Sequence, residues 1–236
     1  MDLSPNVHRV CGIAGILSAN PVSDILEQML ATLRHRGPDD AGIVTGPGIA
    51  LGHRRLSVID LSPAGRQPMS SGCGRCHLTY NGEIYNFEEL RKELYEDGYS
   101  SVFEGYSDTE VLLACLVHWG VPRTLERLVG MFAFAFWDGR QLWLVRDRIG
   151  QKPLYYGWCG RDFVFASELR AFRCHPEFDA NIDRQALELY LCLGYVPNPY
   201  SIFSGISKLQ PGHYYVDGKV TGYWSHPVGT VQPMSD

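Results

Sequence analysis

Met131-Phe132-Ala133-Phe134-Ala135-Phe136-Trp137-Asp138 is the stretch that decides the fold. Phenylalanine alternates with alanine at period two, so an extended strand here carries bulk on one face and permits tight approach on the other. No charge interrupts the run before Asp138, and a strand of that composition is buried on both faces. A sheet covered on both sides belongs to a layered sandwich.

Further strands are predicted at residues 77–80, 142–147, 154–157 and 163–166, and a short one rich in small residues at 12–17 (GIAGIL), where another backbone or a ligand can come close. Val22, Ile25, Leu26, Met29, Leu30 and Leu33 fall at three-and-four spacing after Pro21, which predicts a helix with one apolar face. It runs into Arg34-His35-Arg36-Gly37-Pro38-Asp39-Asp40, where basic residues suit the C-terminal dipole and Gly-Pro forces a fixed loop. Asn86 with Glu89, and Ser107 with Glu110, have the spacing of capping boxes, and Asp183 is placed to cap a last helix reaching about residue 191. Residues 194–212 are rich in Pro and Gly, and the tail shows no periodicity.

At 236 residues, 45% of them hydrophobic and 12% aromatic, the chain can bury one large domain, or one domain with an appendage. A net charge of −5 with scattered Lys and Arg gives no footprint for nucleic acid. No apolar run spans a bilayer and the N-terminus lacks a secretory signal, so a cytoplasmic protein is expected. Seven cysteines at irregular spacing point to reduced thiols, most of them small core residues. Cys73-Gly74-Arg75-Cys76-His77 formally matches haem attachment or half a zinc site, but no second Cys pair lies near. A variable hairpin loop, with no metal, is the expectation.

Taken alone, Cys11 beside Gly12 reads as a packed core thiol. Its company changes that reading. Cys11-Gly12-Ile13-Ala14-Gly15, Arg34-His35-Arg36-Gly37-Pro38-Asp39, Gly52-His53-Arg54-Arg55-Leu56-Ser57, Tyr80-Asn81-Gly82-Glu83-Ile84-Tyr85-Asn86 and Ser107-Asp108-Thr109-Glu110 follow one another in that order. With Arg146-Asp147-Arg148-Ile149-Gly150-Gln151-Lys152-Pro153 and Ala166-Ser167-Glu168-Leu169, this set resembles the N-terminal glutaminase domain of glutamine-hydrolysing asparagine synthetases, a class II glutamine amidotransferase domain. The resemblance runs from Cys11 to about Tyr223. It implies an α+β fold of the Ntn-hydrolase type, a four-layer αββα sandwich of two antiparallel sheets.

It also implies a chemistry. A carboxamide is a poor electrophile with a poor leaving group, so its hydrolysis needs a strong nucleophile, a base and oxyanion donors. In such domains the nucleophile is the thiol at Cys11, and the base is the α-amino group of the same residue, whose ordinary pKa of about 7.7–8.0 suits proton exchange in both directions. The resemblance assigns the oxyanion hole to the Asn81 side chain and the Gly82 N–H. Read locally, Asn81-Gly82 is a hairpin turn. Arg55 corresponds to the position gripping the substrate α-carboxylate and Asp108 to the one binding its α-ammonium, with Glu83 counted among the substrate-binding residues. Adjacent Arg54 would point to the opposite face of a strand. His35, His53, Asp39 and Asp40 receive no chemical step.

Residues 1–10 precede Cys11 and would leave its nitrogen an amide. Either synthesis starts at Val10 from an alternative codon, or residues 1–10 are a propeptide cut at the Val10 carbonyl, or they persist and the domain only binds glutamine. The expected organisation is therefore a leader at 1–10, the amidotransferase domain at 11–223 and a linker stub at 224–236. Asparagine synthetases continue into an ATP-binding synthetase domain that this sequence lacks. No cofactor is expected in this domain, with ATP and Mg confined to the synthetase part. Glutamine and such a synthetase domain or subunit are the expected partners, and the ammonia acceptor is aspartate or another carboxylate.

Overall fold

The computed structural model describes residues 10–20, 22–56 and 65–226. Expectations resting on residues 1–9, Pro21, Ser57 and 227–236 lie outside them.

The alternating stretch is strand β6 (Gly130–Trp137), with elements numbered in chain order. It pairs antiparallel with β5 (His77–Ile84) on one side and β7 (Leu142–Arg146) on the other. β4 (Met69–Ser70) lies outside β5, and β11 (His213–Val216) and β12 (Lys219–Gly222) lie outside β7. The second sheet has the order β10 (Ile206–Lys208), β8 (Tyr155–Cys159), β9 (Asp162–Ala166), β1 (Gly12–Leu17), β3 (Ile49–Arg55), β2 (Asp40–Gly46). Every pairing in it is antiparallel.

Helices cover both outer faces. α1 (Ser23–Thr32) and α5 (Leu169–Phe172) pack on the β1-containing sheet, while α2 (Phe87–Glu96), α3 (Asp108–Trp119) and α4 (Val121–Arg127) cover the other. The result is the four-layer αββα sandwich. Its two faces divide β6 as the alternation requires. Phe132, Phe134 and Phe136 fill the core beneath α2 and α3, whereas Ala133 and Ala135 meet Ile13, Leu51 and Phe165 of the facing sheet. The small residues of β1 serve the same closeness: a Cβ at Gly15 would stand 2.4 Å from the Phe165 ring and 2.8 Å from the Ala50 carbonyl oxygen.

Several expectations are corrected. The fixed loop after Pro38 gives way at Asp40 to the β2–β3 hairpin, whose buried Gly52 and His53 hide its period-two pattern. Asn81-Gly82 is no turn; both lie within β5, opposite Ala133 and Phe132. Asn86 caps nothing with its side chain. Its amide instead donates to the Arg127 carbonyl at 3.0 Å and accepts from Val129 N–H at 3.0 Å, tying α2 to the start of β6. Ser107 does cap α3 by accepting from Glu110 N–H, but the Glu110 carboxylate takes Glu104 and Gly105 N–H rather than reaching back to Ser107. Asp183 caps α6 (Arg184–Leu193) by accepting from Ala186 N–H at 3.0 Å. All seven cysteines are free thiols, yet only Cys76, Cys115 and Cys159 are buried. Cys73 and Cys76 sit in the turn between β4 and β5, and no cluster of metal-ligating side chains occurs among the described residues.

Candidate active site

The end of the sandwich where β1 begins holds a cavity of about 250 Å³. Pockets for drug-sized ligands run to roughly 300–1,000 Å³, so this one suits an amino acid better than a nucleotide. Cys11, Arg55, Asn81, Gly82, Glu83 and Asp108 all line it, so the six residues to which the resemblance gave a catalytic or substrate-binding role reach one space.

Cys11 stands immediately before β1, half-buried. The main chain of Leu56 brackets its sulfur: Leu56 N–H donates to Sγ at 3.4 Å and the thiol donates to Leu56 O at 3.7 Å. Burial raises the thiol pKa, opposed by the Leu56 amide and by Arg55, Arg36 and Lys152. A thiol so placed is mostly protonated at neutral pH and needs a base before it can attack. Its carbonyl is held by Arg36 Nε at 3.0 Å. Arg36 in turn pairs at 3.0 Å with Glu168, which also takes His35 Nε2 and Arg170 Nε at 2.9 Å each.

β5 supplies the opposite wall. Asn81 is 1% exposed, and its Nδ2 has no hydrogen-bond partner. A buried amide donor without a partner is costly and marks a place where a ligand atom can satisfy it. Gly82 is demanded by packing, because a Cβ there would lie 2.3 Å from Met131 O and 2.7 Å from Phe132 Cα across the β5–β6 pair.

Asp108, at the first turn of α3, is buried, and burial raises its pKa. Its Oδ2 accepts from Tyr80 OH at 2.7 Å and from Ile84 N–H at 2.9 Å, which fixes the carboxylate at the cavity. Arg55 ends β3 buried and lines the cavity, whereas Arg54 turns to the groove beside α1 with Glu27 and Leu30. Strand alternation thus separates the two arginines as expected.

Lys152 also lines the cavity and had been given no role by the sequence. Burial, then Arg36, lowers its pKa. The loop that delivers it is built on Asp147, fully buried, whose carboxylate accepts from the N–H groups of Phe132, Ile149, Gln151 and Lys152 at 2.9–3.3 Å. The Arg146 guanidinium holds the carbonyls of Gly150, Lys152 and Leu209. The quoted Arg-Asp-x-x-Gly-x-Lys-Pro block was the available signal, but its buried hydrogen bonds are made by contacts no spacing reveals. Tyr80 and Gln67 were missed likewise.

A half-buried thiol, an unpartnered amide donor, a buried carboxylate and an arginine around one small cavity are the equipment for acyl transfer from a zwitterionic substrate. Comparison with known proteins agrees. Residues 10–224 match the family described as the glutamine amidotransferase domain, and the chain belongs to that family. Two relatives in Bacillus subtilis (strain 168) are asparagine synthetase [glutamine-hydrolyzing] 3, 38% identical over 92% of this chain and 37% of its own, and asparagine synthetase [glutamine-hydrolyzing] 1, 36% identical over 90% and 34%. The chain therefore spans about a third of the length of these curated relatives. Glutamine phosphoribosylpyrophosphate amidotransferase from B. subtilis shares the fold, with a TM-score of 0.68 and 22% identity over 92% of this chain and 50% of that one.

Proposed function

We propose that the chain hydrolyses glutamine to glutamate and ammonia at Cys11. The convergence of Cys11, Asn81, Gly82, Arg55 and Asp108 on one cavity of amino-acid size carries this reading. Arg55 receives the α-carboxylate and Asp108 the α-ammonium, with Glu83 at the same wall. The Cys11 sulfur attacks the carboxamide carbon, forming the S–C bond, while Asn81 Nδ2 and Gly82 N–H stabilise the oxyanion. The thiol proton passes by way of the Cys11 α-amine to the departing nitrogen, the C–N bond breaks, and ammonia leaves. Water then hydrolyses the thioester to glutamate and returns the thiol.

That route needs a free amine at Cys11, and therefore the loss of residues 1–10. The ammonia passes to an ATP-dependent synthetase domain or subunit that amidates aspartate or another carboxylate, ATP and Mg belonging to that part alone. Support comes from the names of the longer relatives and from α6, which leaves Leu187, Tyr190, Leu191 and Leu193 exposed. A second reading, a glutamine-binding protein without turnover, is favoured by one contact: Val10 lines the same cavity while still attached to Cys11.

Intact mass and glutamate release, measured on protein made from its own gene, separate the two. Loss of residues 1–10 with glutamate formed is the expected result. A retained leader, with no covalent adduct from an electrophilic glutamine analogue, leaves only the binding protein.

A further inference from the structure

β5 is an incomplete inner strand. β4 pairs with it only at His77 and Leu78, so from Thr79 onward that side of β5 has no strand neighbour among the described residues. An unpaired strand edge leaves N–H and C=O groups that need partners when buried. At Tyr80 two side chains take the place of a strand. Gln67 Oε1 accepts from Tyr80 N–H at 2.7 Å, and His53 Nε2 meets Tyr80 O at 3.0 Å. The latter bond comes from the opposite sheet, since His53 belongs to β3.

We propose that His53 is a positioning residue for the oxyanion hole: its Nε2–H, donated across the sandwich to the Tyr80 carbonyl, fixes the strand one residue before Asn81. The inference rests on the glutaminase reading given above.

Because a carbonyl can only accept, Nε2 carries the hydrogen and Nδ1 is a bare lone pair, consistent with its being buried without a partner. His53 is fully buried, and burial lowers its pKa to about 4, so the imidazole stays neutral and the donor stays in one tautomer. Beside it, Thr79 Oγ1 donates to Gly52 O at 3.0 Å, a second polar link between β3 and β5. The surrounding layer is apolar, formed by Ile13, Leu51, Ala133 and Ala135, so among the described residues these two bonds are the directional links between the sheets at this height, and the His53 bond is the one made to the carbonyl next to Asn81. On the far side, Ile84 N–H is held by Asp108. β6 pairs with Asn81, Gly82 and Glu83 on one edge, and on the other edge they lie between two held points, of which the His53 bond to the Tyr80 carbonyl is the one next to Asn81.

The test compares His53→Leu, His53→Gln and His53→Asn in the full chain. Gln reaches the Tyr80 carbonyl with an N–H and Asn falls short. Turnover of glutamine is read together with affinity for glutamate and for the γ-aldehyde analogue of glutamine, whose thiohemiacetal places an oxygen in the oxyanion site. His53→Leu is expected to lower kcat roughly tenfold to hundredfold, as misplacement of a donor does, and to weaken the aldehyde by a similar factor while KM and glutamate affinity hold. His53→Gln should restore most of the loss and His53→Asn little. Equal loss of aldehyde and glutamate affinity, or Gln no better than Asn, overturns the proposal. Where His53→Leu does not fold, the Gln and Asn pair decides. If the wild-type chain releases no glutamate, the glutaminase reading falls by that control, and the aldehyde affinities alone judge the positioning role.

Discussion

At the scale of the residue, the cavity assigns different work to groups of similar burial. Cys11→Ala should abolish glutamate release yet leave glutamine binding measurable by calorimetry, since Arg55 and Asp108 remain. Asn81→Ala removes the unpartnered Nδ2 and should lower kcat about 10²–10³-fold with KM little changed, the signature of a donor used in the transition state. Asp108 makes a pH prediction. Burial raises its pKa, so acidification neutralises it earlier than an ordinary aspartate, and the neutral form has lost its attraction for an α-ammonium. KM for glutamine should climb as pH falls toward that raised value. Asp108→Asn should fix KM roughly tenfold to hundredfold higher at every pH, and a variant that kept the acid limb would place the titration elsewhere.

At the scale of the element, the loop after β7 shows how a buried carboxylate substitutes for regular structure. Asp147 accepts from four backbone N–H groups and holds Lys152 against the cavity. Asp147→Ala orphans those donors and should cost on the order of 3 kcal/mol in urea unfolding, with glutaminase activity falling alongside. Capping residues divide by context. Ser107 and Asp183 cap as their spacing predicts, but Asn86 is drawn off by Arg127 and Val129, which lie remote in sequence. A local rule fails there because a competing partner arrives only once the chain is folded.

At the scale of the whole molecule, the buried imidazole of His53 links stability to acidity. Its pKa falls from 6.5 to about 4 on folding, chiefly by burial, so the unfolded chain binds the proton more readily. Stability from this residue is complete above about pH 6.5 and is lost as pH falls toward 4, amounting to about 3 kcal/mol. Urea unfolding followed across that interval should show the loss, and His53→Gln should flatten it. Unchanged slopes in the variant would assign the acid sensitivity to other groups. The same burial that makes His53 a fixed donor makes it costly to protonate.

By itself the sequence determined the layered core and the identity of the chemical groups. Alternation of Phe and Ala in β6 specifies a strand buried on both faces, because side-chain direction along a strand has period two. The ordered motifs named the family and marked six residues that line one cavity. Only the tertiary structure decided that Asn81-Gly82 is strand rather than turn, since β6 supplies the pairing that overrides a local turn preference. Only it brought Lys152 and Tyr80 to the cavity and gave His53 a task, because each depends on a contact between segments far apart in the chain, and spacing along a sequence carries no record of which segments meet.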